Sequence, residues 1–286
     1  MLAFITSVRH PRNSADYERV EELLRRTLRS VCRQTVDDHV VVVACNRVPA
    51  GRFPSNVRFL RVGFPPPVDT AGPVTGREAV LRDKGTKLAA ALVAAQEHRP
   101  DHVMKVDADD FVSRRIAEFT ARHPGAPGWY VDRGYVVSAE TGLVAPCPDF
   151  DSRCGTSEVV ANDSFRLPAD LPAPDTDQDE LVERLGTVLV RDLLGSHRAG
   201  REHFAALGRP LAPLPFAGAA YLLGTGENHS GLRRVRGGRP VPRRLAAEFG
   251  MEHLRTPGAW SCFARERVRA ARGRARSLAV RAVRRG

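Results

Sequence analysis

The stretch Val103-Met104-Lys105-Val106-Asp107-Ala108-Asp109-Asp110 is where the sequence most clearly offers chemistry. An apolar run ends in three carboxylates. Carboxylates at i and i+2, where a strand opens into a loop, can turn toward one mouth and present hard oxygens to Mg²⁺ or Mn²⁺. An ion held there bridges a diphosphate and neutralises charge on a leaving group. The same residues also read as an acidic approach to a helix capped by Ser113, favoured by the helix dipole. The basic counterpart lies close by in sequence. The chain has three lysines, Lys84, Lys87 and Lys105, all in one short region. A compact ammonium is a good point-charge partner for phosphate. Lys84 and Lys87, at i and i+3, share one helix face, where both could reach a phosphate or simply be solvated.

The elements that must position these groups follow from hydrophobic periodicity. Leu2 to Val8 reads as a buried strand, followed by a loop over His10 to Ser14. Asp16 to Gln34 has the helical spacing of Val20, Leu23, Leu24, Leu28 and Val31. His39 to Cys45 is an unbroken, largely β-branched run, the composition of a strand covered on both faces. Asn56 to Val62 is a third strand, and Gly63 to Gly76 a Pro/Gly-rich loop. Lys84 to His98 reads as an Ala-rich helix, and His102 to Val106 as the strand that ends in the carboxylates. A helix over Ser113 to Arg122 and a strand over Trp129 to Ser138, turned at Glu140-Thr141-Gly142, follow. The later chain is less regular, with helices expected over Glu180 to Leu194 and Arg201 to Leu207 and a strand over Ala219 to Leu223. This order predicts an α/β sandwich with a mainly parallel central sheet, which takes its ligands beyond the carboxyl ends of the strands.

Composition sets the outer bounds. The 286 residues are 42% hydrophobic, 27% charged and 6% aromatic, enough to bury a sizeable core. No apolar run approaches the ~20 residues of a membrane span, and Met1 to Pro11 shows no secretory signal pattern. The net charge is +11, from 44 Lys and Arg against 33 Asp and Glu. Residues 264–286 hold nine arginines and one glutamate, a net of +8, which leaves +3 for the rest. The basic character therefore belongs to a C-terminal tail, either solvated or lying on an anionic membrane surface. The low aromatic content offers little stacking surface for nucleic acid. Five cysteines with no C-x-x-C pair point to neither a disulfide framework nor a structural zinc site, and to a reduced, cytoplasmic setting.

Asp107-Ala108-Asp109 at the end of an apolar strand, with Arg82-Asp83-Lys84-Gly85-Thr86-Lys87 opening the preceding Ala-rich helix, resembles the GT-A fold nucleotide-sugar glycosyltransferases, family 2-like. The resemblance covers roughly residues 2 to 165, together with Glu227-Asn228-His229-Ser230. It implies a Rossmann-like α/β/α sandwich and metal-dependent hexosyl transfer from a nucleotide-diphosphate sugar to a glycan, lipid-linked or small-molecule acceptor. It further implies that Asp107 lies near the ribose, that Asp109 ligates Mn²⁺ or Mg²⁺ with Asp107, and that His229 returns to the same ion, supported by Asn228 or Ser230. Asp110 would be a second ligand or a cap. Arg82, Asp83, Lys84 and Lys87 would touch the nucleotide or its diphosphate, and Thr6, Ser7 and Arg9 would seat the nucleoside. Family members usually carry an acidic residue after the second strand to hold the base; here the sequence is Cys45-Asn46-Arg47, leaving Asn46 as a hydrogen-bonding substitute.

An inverting transferase needs a carboxylate to take the acceptor's proton. The resemblance places it at the start of a helix in the second half, which points to Asp175, Asp177 or Asp179; the same run also reads as an acidic helix cap. Cys154-Gly155-Thr156-Ser157-Glu158 reads either as an acceptor-side turn, with Gly155 allowing close backbone approach, or as an ordinary loop before a strand. The expected division is a donor-binding half over 1–165, an acceptor half with the metal-ligand loop over 166–262, and the basic tail over 263–286. The expected location is the cytoplasm, peripheral to the inner face of the plasma membrane if the tail meets lipid. Two other functions fit some of the residues. A sugar-phosphate nucleotidyltransferase shares the layout, but Thr6 to Asn13 lacks its glycine signature. A non-catalytic nucleic-acid binder would use the Arg-rich tail alone.

Overall fold

The computed structural model describes residues 1–227, 235 and 237–269. Its centre is a seven-stranded, mainly parallel sheet with helices on both sides. In chain order the elements are β1 (Leu2–Ser7), α1 (Tyr17–Val31), β2 (His39–Cys45), β3 (Val57–Arg61), α2 (Arg77–Ala95), β4 (His102–Asp107), β5 (Phe111–Val112), α3 (Ile116–Ala121), β6 (Gly128–Tyr130), β7 (Arg133–Ser138), β8 (Leu143–Pro148), β9 (Glu158–Ala161), α4 (Gln178–Leu185), α5 (Gly200–Ala206), β10 (Ala212–Pro213), β11 (Ala219–Leu223), β12 (Arg239–Pro240) and α6 (Arg243–Phe249). A seventh helix, α7, runs over residues 257–269. The central sheet has the order β10-β6-β9-β4-β1-β2-β3. A second sheet, β12-β8-β7-β11-β5, packs beside it. Strands from either side of residue 165 share both sheets.

The central strands are apolar throughout because both faces are covered. Every residue of β2 is buried. On β1 the side chains alternate: Leu2 and Phe4 join a core with Val20, Leu24 and Leu28 of α1, whereas Ala3 and Ile5 join one with Leu88 and Leu92 of α2. Asp16 caps α1 by accepting from the Arg19 amide at 3.1 Å. β1 and β4 run parallel with Ser7 opposite Asp107, so the acidic segment leaves the sheet at its carboxyl edge, beside the loop that follows β1.

Several expected elements are redrawn. The Ala-rich helix begins at Arg77 rather than Lys84, so Arg82 to Lys87 lie within it instead of opening it. Gly85 is an interior packing residue of this helix: a Cβ there would stand 2.1 Å from the Val190 carbonyl oxygen. The strand expected over Trp129 to Ser138 is two strands in different sheets, with the chain crossing at Val131 and Asp132. The helix expected over Glu180 to Leu194 is divided at Gly186, whose φ of 87° ends α4; a π-helical segment, Val188–Gly195, follows. Ser113 Oγ accepts from the Arg115 amide at 3.3 Å in the turn that leads into α3, whose own N-cap position, Arg115, has no side-chain cap. Phe111–Val112 pairs with β11, α3 starts later, and the Ser113 hydroxyl donates to Glu248.

Candidate functional site

A cleft of about 180 Å³ opens at the carboxyl ends of β1 and β4. Ser7, Arg9 and Asn13 line it from the segment after β1, Asp83 and Lys84 from α2, Asp107 and Asp109 from the end of β4, and Glu227 from beyond β11. The acidic pair and two of the cationic groups expected around it, Arg9 and Lys84, therefore meet in one place, although 23 residues separate Lys84 from Asp107.

The Asp107 carboxylate pairs with the Lys84 ammonium, and its backbone N–H donates to Thr156 Oγ1 at 2.9 Å. Burial raises the Asp107 pKa, but the Lys84 ammonium outweighs it and holds the carboxyl below the ordinary aspartate value. Asp109 goes the other way: burial, and then the charge of Asp107, push it up to about 7. A pair of near carboxylates, one held ionised and one carrying a like-charge penalty, suits a divalent cation, which would remove that penalty. Asp107 and Asp109 thus fit the expected ion.

Asp110 is neither an open ligand nor a helix cap. It is fully buried and accepts from Thr156 Oγ1 at 2.6 Å, Cys154 Sγ at 2.9 Å and the Leu222 amide at 3.2 Å. Among the described residues, Asp107, Asp110 and Cys154 form a cluster with ligand-type atoms within 4.8 Å of one another. Burial drives the Asp110 carboxyl and the Cys154 thiol toward their neutral forms, and the two hydrogen-bond each other. Their role is to fasten the loop before β9 over the acidic pair. Gly155 in that loop makes the close approach expected of it, but to the proposed metal site: a Cβ would stand 2.7 Å from Asp107 Oδ2 and 2.9 Å from Lys84 Nζ.

The lysines are not grouped around one phosphate position. Lys84 lines the cleft. Lys87 is 0% exposed and donates to the Val8 carbonyl at 3.0 Å and to the Asp83 carboxylate at 2.9 Å. It anchors the wall and cannot reach a ligand. Lys105 points to the same face of the sheet as α2 but away from the cleft, donating to the Ser196 carbonyl at 2.6 Å and pairing with Glu158 at 3.2 Å. Each lysine is thus matched to a buried or half-buried carboxylate, which is how a charge is kept inside a protein.

The remaining expected residues divide. Ser7 and Arg9 line the cleft; Thr6 is buried behind it with Oγ1 unpartnered. Asn46 lies outside it and donates from Nδ2 to the Val62 and Phe64 carbonyls at 3.3 and 2.8 Å, tying β2 to the chain after β3. Arg82 also lies outside, paired with Asp179 at 2.6 Å. Asp175, Asp177 and Asp179 are exposed, and none lines the cleft. Asp177 caps α4 by accepting from the Glu180 amide at 2.8 Å. Asp177 and Asp179 border a separate depression that shares only Pro67 and Asp83 with the cleft. Asn228, His229 and Ser230 lie outside the described residues. Glu227, which precedes them, accepts from Arg9 Nη1 at 2.7 Å and from the Ala15 and Asp16 amides at 2.9 and 3.0 Å, so the late segment begins at the cleft.

Two polar residues at or near the site have no pattern in the sequence. Asn13 is fully buried and donates to the Val68 and Thr70 carbonyls at 3.2 and 3.0 Å, leaving Oδ1 unpartnered in the cleft wall. His197, just beyond the π-helical segment, has a buried, unpartnered Nε2. Burial and then the Lys84 charge lower its pKa, against the opposing charge of Asp107. Its only sequence signal is its place after a long apolar run.

No family model matches the chain, and no curated protein matches it. Among solved structures it is similar to S. aureus TarS, with a TM-score of 0.37 and 11% identity over 78% of this chain and 37% of TarS. The chain thus spans well under half of that protein's length, and no functional statement rests on so distant a likeness.

Proposed function

We propose that this protein is a metal-dependent glycosyltransferase that takes a sugar from a nucleotide-diphosphate donor to a glycan, lipid-linked or small-molecule acceptor. The observation that carries this reading is the pair Asp107 and Asp109 at the carboxyl end of β4, facing a cleft also lined by Lys84 and Arg9. Asp107 and Asp109 would hold Mn²⁺ or Mg²⁺, with His229 as the further ligand that the sequence resemblance implies. The ion would supply positive charge to the departing nucleoside diphosphate.

The chain's own groups do the rest. Lys84 keeps Asp107 ionised and adds a cation at the cleft wall. The buried Lys87–Asp83 pair fixes α2 against the end of β1, so that the Lys84 side chain is presented rather than free to wander. The loop from Cys154 to Ser157, pinned through Asp110, closes over the acidic pair and excludes water behind it.

A thermal-shift screen of UDP-, GDP- and dTDP-linked sugars, with and without Mn²⁺, tests the reading, because a ligand that binds only the folded chain raises its melting temperature by mass action. One donor class should stabilise the protein only when the metal is present, and Asp109→Ala should abolish that shift while leaving the fold intact. Metal-dependent binding that survives Asp109→Ala would sink the assignment. Release of pyrophosphate rather than a nucleoside diphosphate would mark a nucleotidyltransferase instead.

A further inference from the structure

Five large apolar side chains are exposed among the described residues, and two of them, Trp260 at 59% and Val268 at 50%, belong to α7. They lie eight positions apart, with Ala264, also exposed, midway. At 100° per residue, positions 260, 264 and 268 form one row along a helix. The opposite face holds Ala259, buried, and Cys262, Phe263 and Glu266, half-buried against the body. The helix is therefore docked on one side and presents an apolar row outward on the other. Arg265, Arg267 and Arg269 are exposed along its flanks, with the Arg267 guanidinium 5.8 Å over the Phe263 ring. Six further arginines follow in residues 270–286 with no acidic residue among them.

We propose that α7 seats this protein on an anionic lipid surface, with Trp260, Ala264 and Val268 entering the headgroup region and the flanking arginines meeting lipid phosphates. The inference stands apart from the assignment of the cleft. An outward row of Trp, Ala and Val suits a lipid headgroup region, whereas a phosphodiester backbone would favour arginine alone. Tryptophan is the side chain most at home at a membrane interface, where its ring is buried and its N–H stays wet. One short apolar row is too small to hold a protein on lipid unaided, and basic charge is the usual second signal. The chain carries +8 of its +11 in residues 264–286. No described helix is long and apolar enough to cross a membrane, so the contact is interfacial.

The test is sedimentation of the full chain with phosphatidylcholine vesicles, with and without phosphatidylglycerol, together with tryptophan emission. The chain has two tryptophans and Trp129 is buried, so a blue shift on binding reports Trp260. The expected result is binding only to the anionic vesicles, with a blue shift. Trp260→Ser should weaken partitioning roughly ten-fold. Each Arg→Gln change at 265, 267 or 269 should weaken it roughly five-fold. Because these side chains are exposed, the melting temperature should not move. Equal partitioning of Trp260→Ser and the native chain, or an unshifted emission on bound protein, would overturn the proposal, since either means that charge alone makes the contact. A DNA duplex that displaces the chain from vesicles, and whose own binding ignores Trp260→Ser, would overturn it in favour of nucleic acid.

Discussion

Lys84 and Asp107 form an ion pair across the cleft wall, joining the third turn of α2 to the last residue of β4. Both side chains are only partly exposed, so the pair is weakly screened and each partner fixes the charge of the other. Removing the ammonium should therefore damage the acidic pair rather than simply delete a cation. In Lys84→Gln the Asp107 carboxyl loses the charge that holds it low and keeps the burial that raises it. Where that rise carries the Asp107 pKa above the working pH, affinity for Mn²⁺ with a donor nucleotide should fall roughly ten-fold for each further unit. The loss should be larger at pH 6 than at pH 8, because protons compete for the carboxylates. Calorimetry at the two pH values decides; equal, undiminished affinity at both would remove Lys84 from the site.

The loop before β9 makes a second prediction. Gly155 is the point at which that loop comes closest to the pair, with space for a hydrogen and none for a methyl group. Gly155→Ala should push Lys84 and Asp107 apart, at a local cost of about 1–3 kcal/mol. The secondary structure should survive, since Cys154 and Thr156 still hold Asp110. Metal-dependent nucleotide binding should drop by about ten-fold or more, which a fluorescence titration would detect. Native affinity in a correctly folded Gly155→Ala would mean that the ion pair is not part of the binding surface.

What the sequence made legible has a common cause. β1, β2, β11 and the acidic end of β4 are short apolar runs bounded by polar residues, and a run buried on both faces can be read without knowing its neighbours. The same reading fails where packing chooses between equivalent patterns. The first two turns of α2 mix Arg77, Glu78 and Arg82 with half-buried Ala79, Val80 and Leu81, so the pattern places the start later, at Lys84; only the approach of the Val190 carbonyl explains the glycine at 85 inside the helix. Lys84 and Lys87 share a helical face by spacing, yet a rotation of a few tens of degrees leaves one in the cleft and buries the other against Val8 and Asp83. Asp177 and Asp179 have the composition of a catalytic run and also of a helix cap; in the fold Asp177 caps α4 and Asp179 pairs with Arg82. Asn13 and His197 come to the site through tertiary contacts and carry no periodic or motif signal.

Asp109 gives the clearest pH signature. Its carboxyl is raised from 3.8 to about 7, first by burial and then by the Asp107 charge, so in the metal-free protein the folded state holds a proton that the unfolded chain has already lost. Where the folded state binds more protons, stability falls as pH rises. The site's penalty is thus absent below about pH 4, develops between 4 and 7, and is complete above 7. Asp109→Asn cannot ionise and should escape it. Without metal at pH 8 the variant should melt about 2–4 °C above the native chain, and at pH 4 the two should coincide. Adding Mn²⁺ with a donor nucleotide at pH 8 should reverse the order, because only the native chain gains by binding. Scanning calorimetry under the three conditions reads all of this directly. A variant that melts below the native protein at pH 8 without metal would show that Asp109 is held by favourable contacts rather than by a charge waiting for a cation.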